Sequence, residues 1–416
     1  MRTALLLLLT FVTNIVFSQT FEETIDSKKL GGTRNFSVTL PPYYEQNVDK
    51  KYPTLLILDG EYLAAPFNGI LKYGNYWDDL PEMIVISVYQ NYGEQRFKDS
   101  EFDEAGLPSG SGAAFFEFLG MELLPYVEGK YRTQPFRVIA GHDTTAGFLN
   151  FYLYKDNPVF NGYISLAPEM APEMEKRVAE RLATIQKPVM YYQASGQGDL
   201  PELRDKTAAL DQNIKAIGNK NFRYQYDDFP GASHYSLVAQ AIPHALYFIF
   251  DGYQPISMVE FQDKIVKLES GYTQYLIDKY ENLEKNMGLK VTPRLTDFKA
   301  IEAAIVKNKA YPELQDLSKY AEKQYPKTTL SVYHQALYYE KMGEYKKAIK
   351  TYNSAFTREA IRELSKDYML NRAERLKNKQ DESITEEYSD PEVQYDENGN
   401  VIEPTSEDGE KKEDEE

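Results

Sequence analysis

The chain is predicted to be an α/β protein: a mostly parallel, twisted sheet clothed in helices, followed by an all-helical region. Three observations predict this. Short apolar runs alternate with helix-periodic stretches from about residue 53 to residue 250, the pattern of parallel strands covered on both faces. One run passes through a turn of small residues straight into a helix, at Gly141-His142-Asp143-Thr144-Thr145-Ala146-Gly147. From Ser257 to about Asn378 strand signals vanish and helical periodicity takes over.

Taken in order, Phe36 to Leu40 alternates at period two and stops at Pro41-Pro42, as an antiparallel or edge strand does. Pro53 to Leu58 and Met83 to Val88 are continuous apolar runs, read as buried parallel strands. Between them, Glu61 to Tyr76 reads as a helix with loops near the sheet top. Residues 89 to 111 form a polar, glycine-rich connection of the kind that carries part of a site. Gly112 to Glu128 has helical spacing, with Pro125 near its end. Arg137 to Ala140 is a strand running into the small-residue turn, and Phe148 to Tyr154 is helix-like. Strands at Gly162 to Ser165, Val189 to Ala194 and Asn221 to Tyr226 then alternate with helices at Met170 to Thr184, Pro201 to Ile217 and His234 to Phe250. The proline opening the second of these suits a first helical turn. The first domain closes near Gly252, giving an expected span of 19–252.

The helical region, 257–378, carries a repeat-like spacing. Val332, Ala336, Tyr339, Ala348, Tyr352 and Ala355 fall where a tetratricopeptide repeat places small and aromatic residues, with Gly343 in the turn. Ala321 and Pro326 fit a degraded preceding repeat. A plain helical hairpin accounts for the same periodicity.

Residues 1–18 read as a secretory signal peptide: Arg2, an apolar core from Ala4 to Val16, and small residues ahead of position 19. The apolar run is too short to span a membrane, so the expected location is periplasmic or secreted. There is no cysteine, which excludes disulfides, thiolate metal sites and thioether lipid anchors. The net charge of −17 is mostly local. Residues 381–416 hold sixteen acidic and two basic side chains, so the body of the chain is near balance. The stretch 379–416 reads as a disordered acidic tail, and the sign of the charge disfavours nucleic acid.

Strand, tight turn and helix around Asp143 form the setting of a nucleophile elbow, usually written G-x-S-x-G. An aspartate stands at the centre and Thr145 at the last small position. The chain order of an α/β-hydrolase is nucleophile, acid, histidine. Asp199 follows the strand ending at Ala194, and His234 follows the next strand, just before an apolar helix. Asp199 is therefore expected to orient His234, and His234 to face position 143. Glu202 or Asp205 could replace Asp199 as the acid, and Asp199 could instead cap the helix at Pro201. No cofactor or metal is expected. The four histidines are scattered, and Gly106 to Gly112 lacks the lysine of a phosphate loop.

The chain also resembles the esterase-D-like (putative-esterase) branch of the α/β-hydrolases, which includes enterochelin esterases. The resemblance rests on Leu58-Asp59-Gly60-Glu61, Arg96, Glu122 to Glu128 with Tyr131-Arg132-Thr133, Ala140-Gly141-His142, Asn157 to Gly162, and Phe229-Pro230-Gly231-Ala232-Ser233-His234. It covers roughly residues 34 to 250 and implies an α/β-hydrolase fold. It also implies a site with position 143 as nucleophile, Asp199 as acid and His234 as base. Gly60 and Glu61 would lie at the oxyanion hole with the Thr144 amide, and Tyr62 and His142 would line the site.

The departure from the family's G-H-S-x-G-G lies at the elbow itself. Aspartate has no proton to yield near neutral pH and pairs with an imidazole, raising its pKa. β-Branched Thr145 is expected to crowd the strand–helix crossing. The chain therefore reads as an exported family member that has lost ester hydrolysis and binds a small ligand, or a protein through its helical region. The alternative is an active hydrolase using Asp143 as nucleophile on an sp³ carbon or as base to a water. A purely structural envelope role is the third reading.

Overall fold

The structure, a computed structural model, describes residues 19–382. The expected signal peptide lies outside the described residues, as does the expected tail 379–416 from residue 383 onward; its first four residues instead continue the helix Lys366–Glu382. By internal contacts the chain divides into two compact units. The first runs to Gln254 and takes in Asn286–Leu289; the second holds Pro255–Lys285 and the residues from Lys290 onward.

Eight strands build the first unit: β1 Gln19–Ser27, β2 Gly32–Leu40, β3 Tyr52–Ile57, β4 Ile84–Val88, β5 Thr133–His142, β6 Gly162–Leu166, β7 Val189–Gly198 and β8 Phe222–Ser233. They form one sheet in the order β1-β2-β4-β3-β5-β6-β7-β8. Neighbours from β4 to β8 pair in parallel, while β2 is antiparallel to both β1 and β4. The strands β3, β4 and β6 are buried along their whole length, which is why their sequences read as unbroken apolar runs. Strand β1 has no signature in the residue pattern. Its side chains are mostly exposed and polar, and a backbone ladder running from Gln19↔Leu40 to Ser27↔Gly32 holds it at the edge.

The helices of this unit are α1 Gly60–Tyr76, α2 Gln95–Asp99, α3 Gly110–Phe118, α4 Leu124–Lys130, α5 Thr144–Phe148, α6 Met174–Thr184, α7 Pro201–Lys215 and α8 Ser236–Ile249. The single helix expected over Gly112 to Glu128 is interrupted by a π-helical turn, Leu119–Leu123. Pro125 therefore sits in the first turn of α4. It has no N–H for the preceding turn, and the ladder widens just before it. Because β3, β5, β7 and β8 are parallel, the chain leaves all four at the same edge of the sheet. Asp59, Asp143, Asp199 and His234 follow those exits, so the topology gathers them.

The second unit is helical throughout its described length apart from turns and isolated bridges: α9 Met258–Glu260, α10 Tyr272–Met287, α11 Leu295–Lys307, α12 Glu313–Gln324, α13 Thr329–Lys341, α14 Tyr345–Asn353 and α15 Lys366–Glu382. The helices α12 to α15 pack in sequence order. Ala321, Ala336, Ala348 and Ala355 are buried, as small residues must be where helix axes approach closely. Gly343 has φ +75° in the turn between α13 and α14, a conformation glycine adopts without a Cβ penalty. Asp297, fully buried, accepts the Ile256 amide at 2.9 Å and the Tyr280 hydroxyl at 2.7 Å. Among the described residues no helix is long and apolar enough to cross a membrane.

Candidate active site

Asp143 joins β5 to α5 with φ 59° and ψ −120°, a sparsely populated conformation for a residue with a Cβ. Holding it costs about 1–3 kcal/mol, and the surroundings supply the constraint. The Asp143 amide donates to the Leu166 carbonyl at 2.9 Å, and its own carbonyl accepts from Gly147 at 3.0 Å and Glu169 at 3.1 Å. A Cβ on Gly147 would lie 1.7 Å from the Glu169 carbonyl oxygen, so only glycine lets the first turn of α5 pass that chain. The elbow's backbone is thus intact although its usual side chain is absent.

The three residues expected to form the triad meet. His234 Nδ1 lies 2.7 Å from Asp199 Oδ1, and Asp199 Oδ2 accepts the Gly196 amide at 2.7 Å. Both oxygens of this buried carboxylate are thereby engaged, which answers the helix-cap alternative: Leu200 precedes α7 as its cap residue. Glu202 is tied to Lys206 on the exposed side of α7. The strand ahead of Asp199 runs past its expected end at Ala194, to Gly198. The strands β7 and β8 stay paired to Gly196↔Phe229 and again at Gly198↔Ser233. Asp227 and Asp228 are strand residues rather than turn residues, bonded to Tyr192 and His244 and to Ser195 respectively.

His234 Nε2 stands 3.9 Å from Asp143 Oδ1, beyond hydrogen-bond reach. The other Asp143 oxygen, Oδ2, accepts from Arg96 Nη1 at 3.2 Å. Arg96, on α2, is held by its remaining contacts: Nε to Asp59 Oδ1 at 2.6 Å, and Nη2 to Asp59 Oδ2 at 3.1 Å and to the His142 carbonyl at 2.8 Å. The direct contact of Arg96 with position 143 was not legible in the sequence, where Arg96 marked only the family resemblance. Such a contact needs α2 and the elbow to be brought together across 46 residues of chain.

Asp59 anchors this group. It has no exposed surface, and burial pushes its carboxyl above the usual range, opposed by Arg96 and by hydrogen bonds from Thr145 and Tyr62. The Thr145 hydroxyl donates to Asp59 Oδ2 at 2.6 Å and accepts the His142 amide at 3.0 Å. The expectation that Thr145 crowds the crossing is therefore overturned. It faces Gly141, where any Cβ would lie within 2.9 Å of it, and its hydroxyl is satisfied on both sides. The threonine is fitted to the site.

The remaining expected residues divide. Tyr62, on α1, lies 3.0 Å from Asp59 Oδ2 and 3.0 Å from His142 Nδ1. The side chain of Glu61 is committed elsewhere: Oε1 accepts the Gln90 and Asn91 amides, both at 2.8 Å, pinning the start of the long connection to α1. Gly60 and Thr144 open α1 and α5, so their amides have no partner one turn back. The Thr144 hydroxyl donates to Glu169 at 2.7 Å, a neighbour the sequence did not single out.

His142 is buried, its Nε2 3.1 Å from the His234 carbonyl and its ring 4.5 Å from the His234 ring. A carbonyl accepts only, so Nε2 carries the proton. Burial, then the charge of His234, depresses this imidazole to about 4 from its ordinary 6.5. The folded state keeps His142 neutral. Its contribution to stability is whole above pH 6.5 and is lost as pH falls toward 4, amounting to about 3 kcal/mol. Denaturant unfolding at pH 7 and pH 4.5 is expected to show that loss in the parent and a smaller one in His142→Gln; equal slopes would refute the assignment. His234 behaves oppositely. Its hydrogen bond to Asp199, against partial burial and reinforced by Asp143, holds it above 6.5.

Residues 27–236 match the family described as "Putative esterase". The chain belongs to that family. It is similar to an uncharacterised protein from Capnocytophaga ochracea DSM 7271, with 30% identity and a TM-score of 0.78, over 86% of this chain and 100% of that one. An IroE-like serine hydrolase from Shewanella oneidensis is similar over 73% of this chain and 98% of its own, with 19% identity and a TM-score of 0.55; that likeness shows the fold. No curated protein matches the chain. Within this esterase-family chain, among the described residues, no group of three or more His, Asp or Glu side chains is arranged to hold a metal ion.

Proposed function

We propose that this esterase-family protein is exported, binds a small molecule at the elbow, and does not turn over carboxylic esters through an acyl-enzyme. One observation carries the reading: the side chain at the nucleophile position is a carboxylate with Arg96 on one oxygen and His234 beside the other. A serine acts when imidazole removes its proton. Asp143 presents only acceptors, so His234 finds no proton to remove from the side chain at this position. The fitted Thr145 and the complete Asp59–Arg96 pairing support a maintained site over a decayed one. Export rests on the pattern of residues 1–18.

With p-nitrophenyl acetate or butyrate, no burst and no acylated residue by intact mass is the expected result. Clear turnover abolished by His234→Ala would overturn the proposal. A second reading, Asp143 as nucleophile on an sp³ carbon, is favoured by the retained elbow backbone. It requires His234 to activate the water that cleaves the resulting ester. A mass adduct on Asp143 after incubation with an epoxide would establish it. The repeat-like spacing in the helical unit supports a protein partner there. Equal recovery of partners with and without residues 257–378 would count against that.

A further inference from the structure

The contacts of Arg96 and His234 divide the Asp143 carboxylate into two unlike sides. Arg96 commits Nε–H and both Nη2 hydrogens to Asp59 and the His142 carbonyl, and one Nη1 hydrogen to Asp143 Oδ2. Guanidinium has five N–H donors, so one Nη1–H is left over from Asp59, His142 and Asp143, with the Tyr62 hydroxyl also beside the guanidinium. On the other side, Asp143 Oδ1 and His234 Nε2 stand 3.9 Å apart. That is too far for a direct bond, and near enough for one small molecule to touch both. Asp143 accepts only. His234 Nδ1 is engaged by Asp199, which leaves Nε2 as the ring atom facing the site. An acceptor therefore flanks the opening on one side and, when the His234 ring is doubly protonated, an Nε2–H donor on the other, with a further donor beyond the carboxylate. The side chains of Asp143 and His234 keep 26% and 20% of their surface exposed, so the opening is accessible.

We infer that this pair transfers protons on a small carbonyl compound with oxygens on adjacent carbons, an α-hydroxyketone or α-hydroxyaldehyde. Asp143 Oδ1 removes a proton from the hydroxyl-bearing carbon beside the carbonyl. The C–H electron pair becomes the new C=C bond of an enediol. The C=O π pair takes the proton from His234 Nε2, leaving Asp143 protonated and His234 neutral. Return of the Asp143 proton to the same carbon, with the enediol hydroxyl giving its proton back to His234, regenerates both groups and exchanges the hydrogen. Return to the adjacent carbon moves the carbonyl by one position. No redox partner or second substrate is required. The remaining Arg96 N–H suits the second oxygen, so a compound with one oxygen fits less well. A positioned general base and acid contribute about 10²- to 10⁴-fold each in such a step.

The inference rests on the non-acylating reading above, and the experiment separates the two. The full-length protein in D₂O with hydroxyacetone or dihydroxyacetone is followed by proton NMR, with p-nitrophenyl acetate assayed in parallel. The expected result is saturable loss of the hydroxymethyl signal, at least about 10²-fold slower in Asp143→Asn and in His234→Gln. Arg96→Lys is expected to raise the half-saturating concentration more than it lowers the limiting rate. Circular dichroism melts of each variant exclude unfolding as the cause; where Asp143→Asn does not fold, His234→Gln decides. Exchange at the buffer rate for both ketols overturns the inference, as does exchange indifferent to both substitutions. Acylation by the nitrophenyl ester would instead overturn the underlying reading.

Discussion

Asp143→Ser on its own is expected to give burst hydrolysis of p-nitrophenyl acetate, about 10²- to 10⁴-fold above the parent protein. The reason lies in what surrounds the side chain at position 143. The elbow keeps its strained backbone, and His234 is already oriented by Asp199 at 2.7 Å. The Thr144 amide opens α5 beside the reacting position. Removing the carboxylate also removes one of the charges that raise the His234 pKa, which lowers the cost of presenting a neutral imidazole.

From the sequence, Thr145→Gly looks like a necessary second change, because the family has glycine there. The structure reverses that expectation. The Thr145 hydroxyl is a donor to buried Asp59, and leaving that carboxylate one partner short costs about 1–3 kcal/mol. The single variant is therefore expected to be more stable than the double and at least as active. A stable Asp143→Ser protein with no gain would show that the elbow amides no longer converge on an oxyanion.

Arg34→Met is expected to destabilise the first unit by about 3–5 kcal/mol, the range for removing one partner of a buried ion pair. Arg34, on β2, meets Asp99 at the end of α2 through Nη1 to Oδ2 at 2.5 Å and Nη2 to Oδ1 at 2.9 Å, both side chains almost fully buried. Gln90 Nε2 donates to the same carboxylate at 3.1 Å, while Gln90 Oε1 accepts the Asp59 amide at 3.1 Å. The pair therefore fixes the helix that carries Arg96 to the strand end that carries Asp59. Denaturant unfolding of Arg34→Met, Asp99→Leu and the double variant separates charge from packing. The double is expected to recover most of the loss. A double as unstable as Arg34→Met would place the effect in the packing of the guanidinium over Phe115, whose ring centre lies 4.9 Å away.

The parts that the sequence made legible share a physical cause. Buried parallel strands must be apolar on both faces, so β3, β4 and β6 announced themselves, and the elbow followed from a strand, a small-residue turn and a helix. Asp199 and His234 could be placed because each ends a strand of the same parallel set. What escaped had no local signature. The strand β1 is a polar edge defined by its backbone pairing. The π-helical turn before Pro125 reflects a missing donor whose effect falls on the preceding turn. Tyr62 touches His142 beside the elbow, and Gly60 and Thr144 open α1 and α5, whereas the Glu61 side chain serves the loop at Gln90 and Asn91.

Patterning along the chain was enough for the fold, its sheet-based and helical units, and the presence of a carboxylate at the centre of the strand–helix turn. The surroundings of that carboxylate emerge on folding. Folding brings Arg96 from a distant loop onto one oxygen, leaves His234 3.9 Å from the other, and turns Thr145 into a hydrogen-bond partner of Asp59. Periodicity reports which face of an element is buried. Charge pairing in a site depends on distances between segments far apart in the chain, and those are fixed only when the sheet assembles.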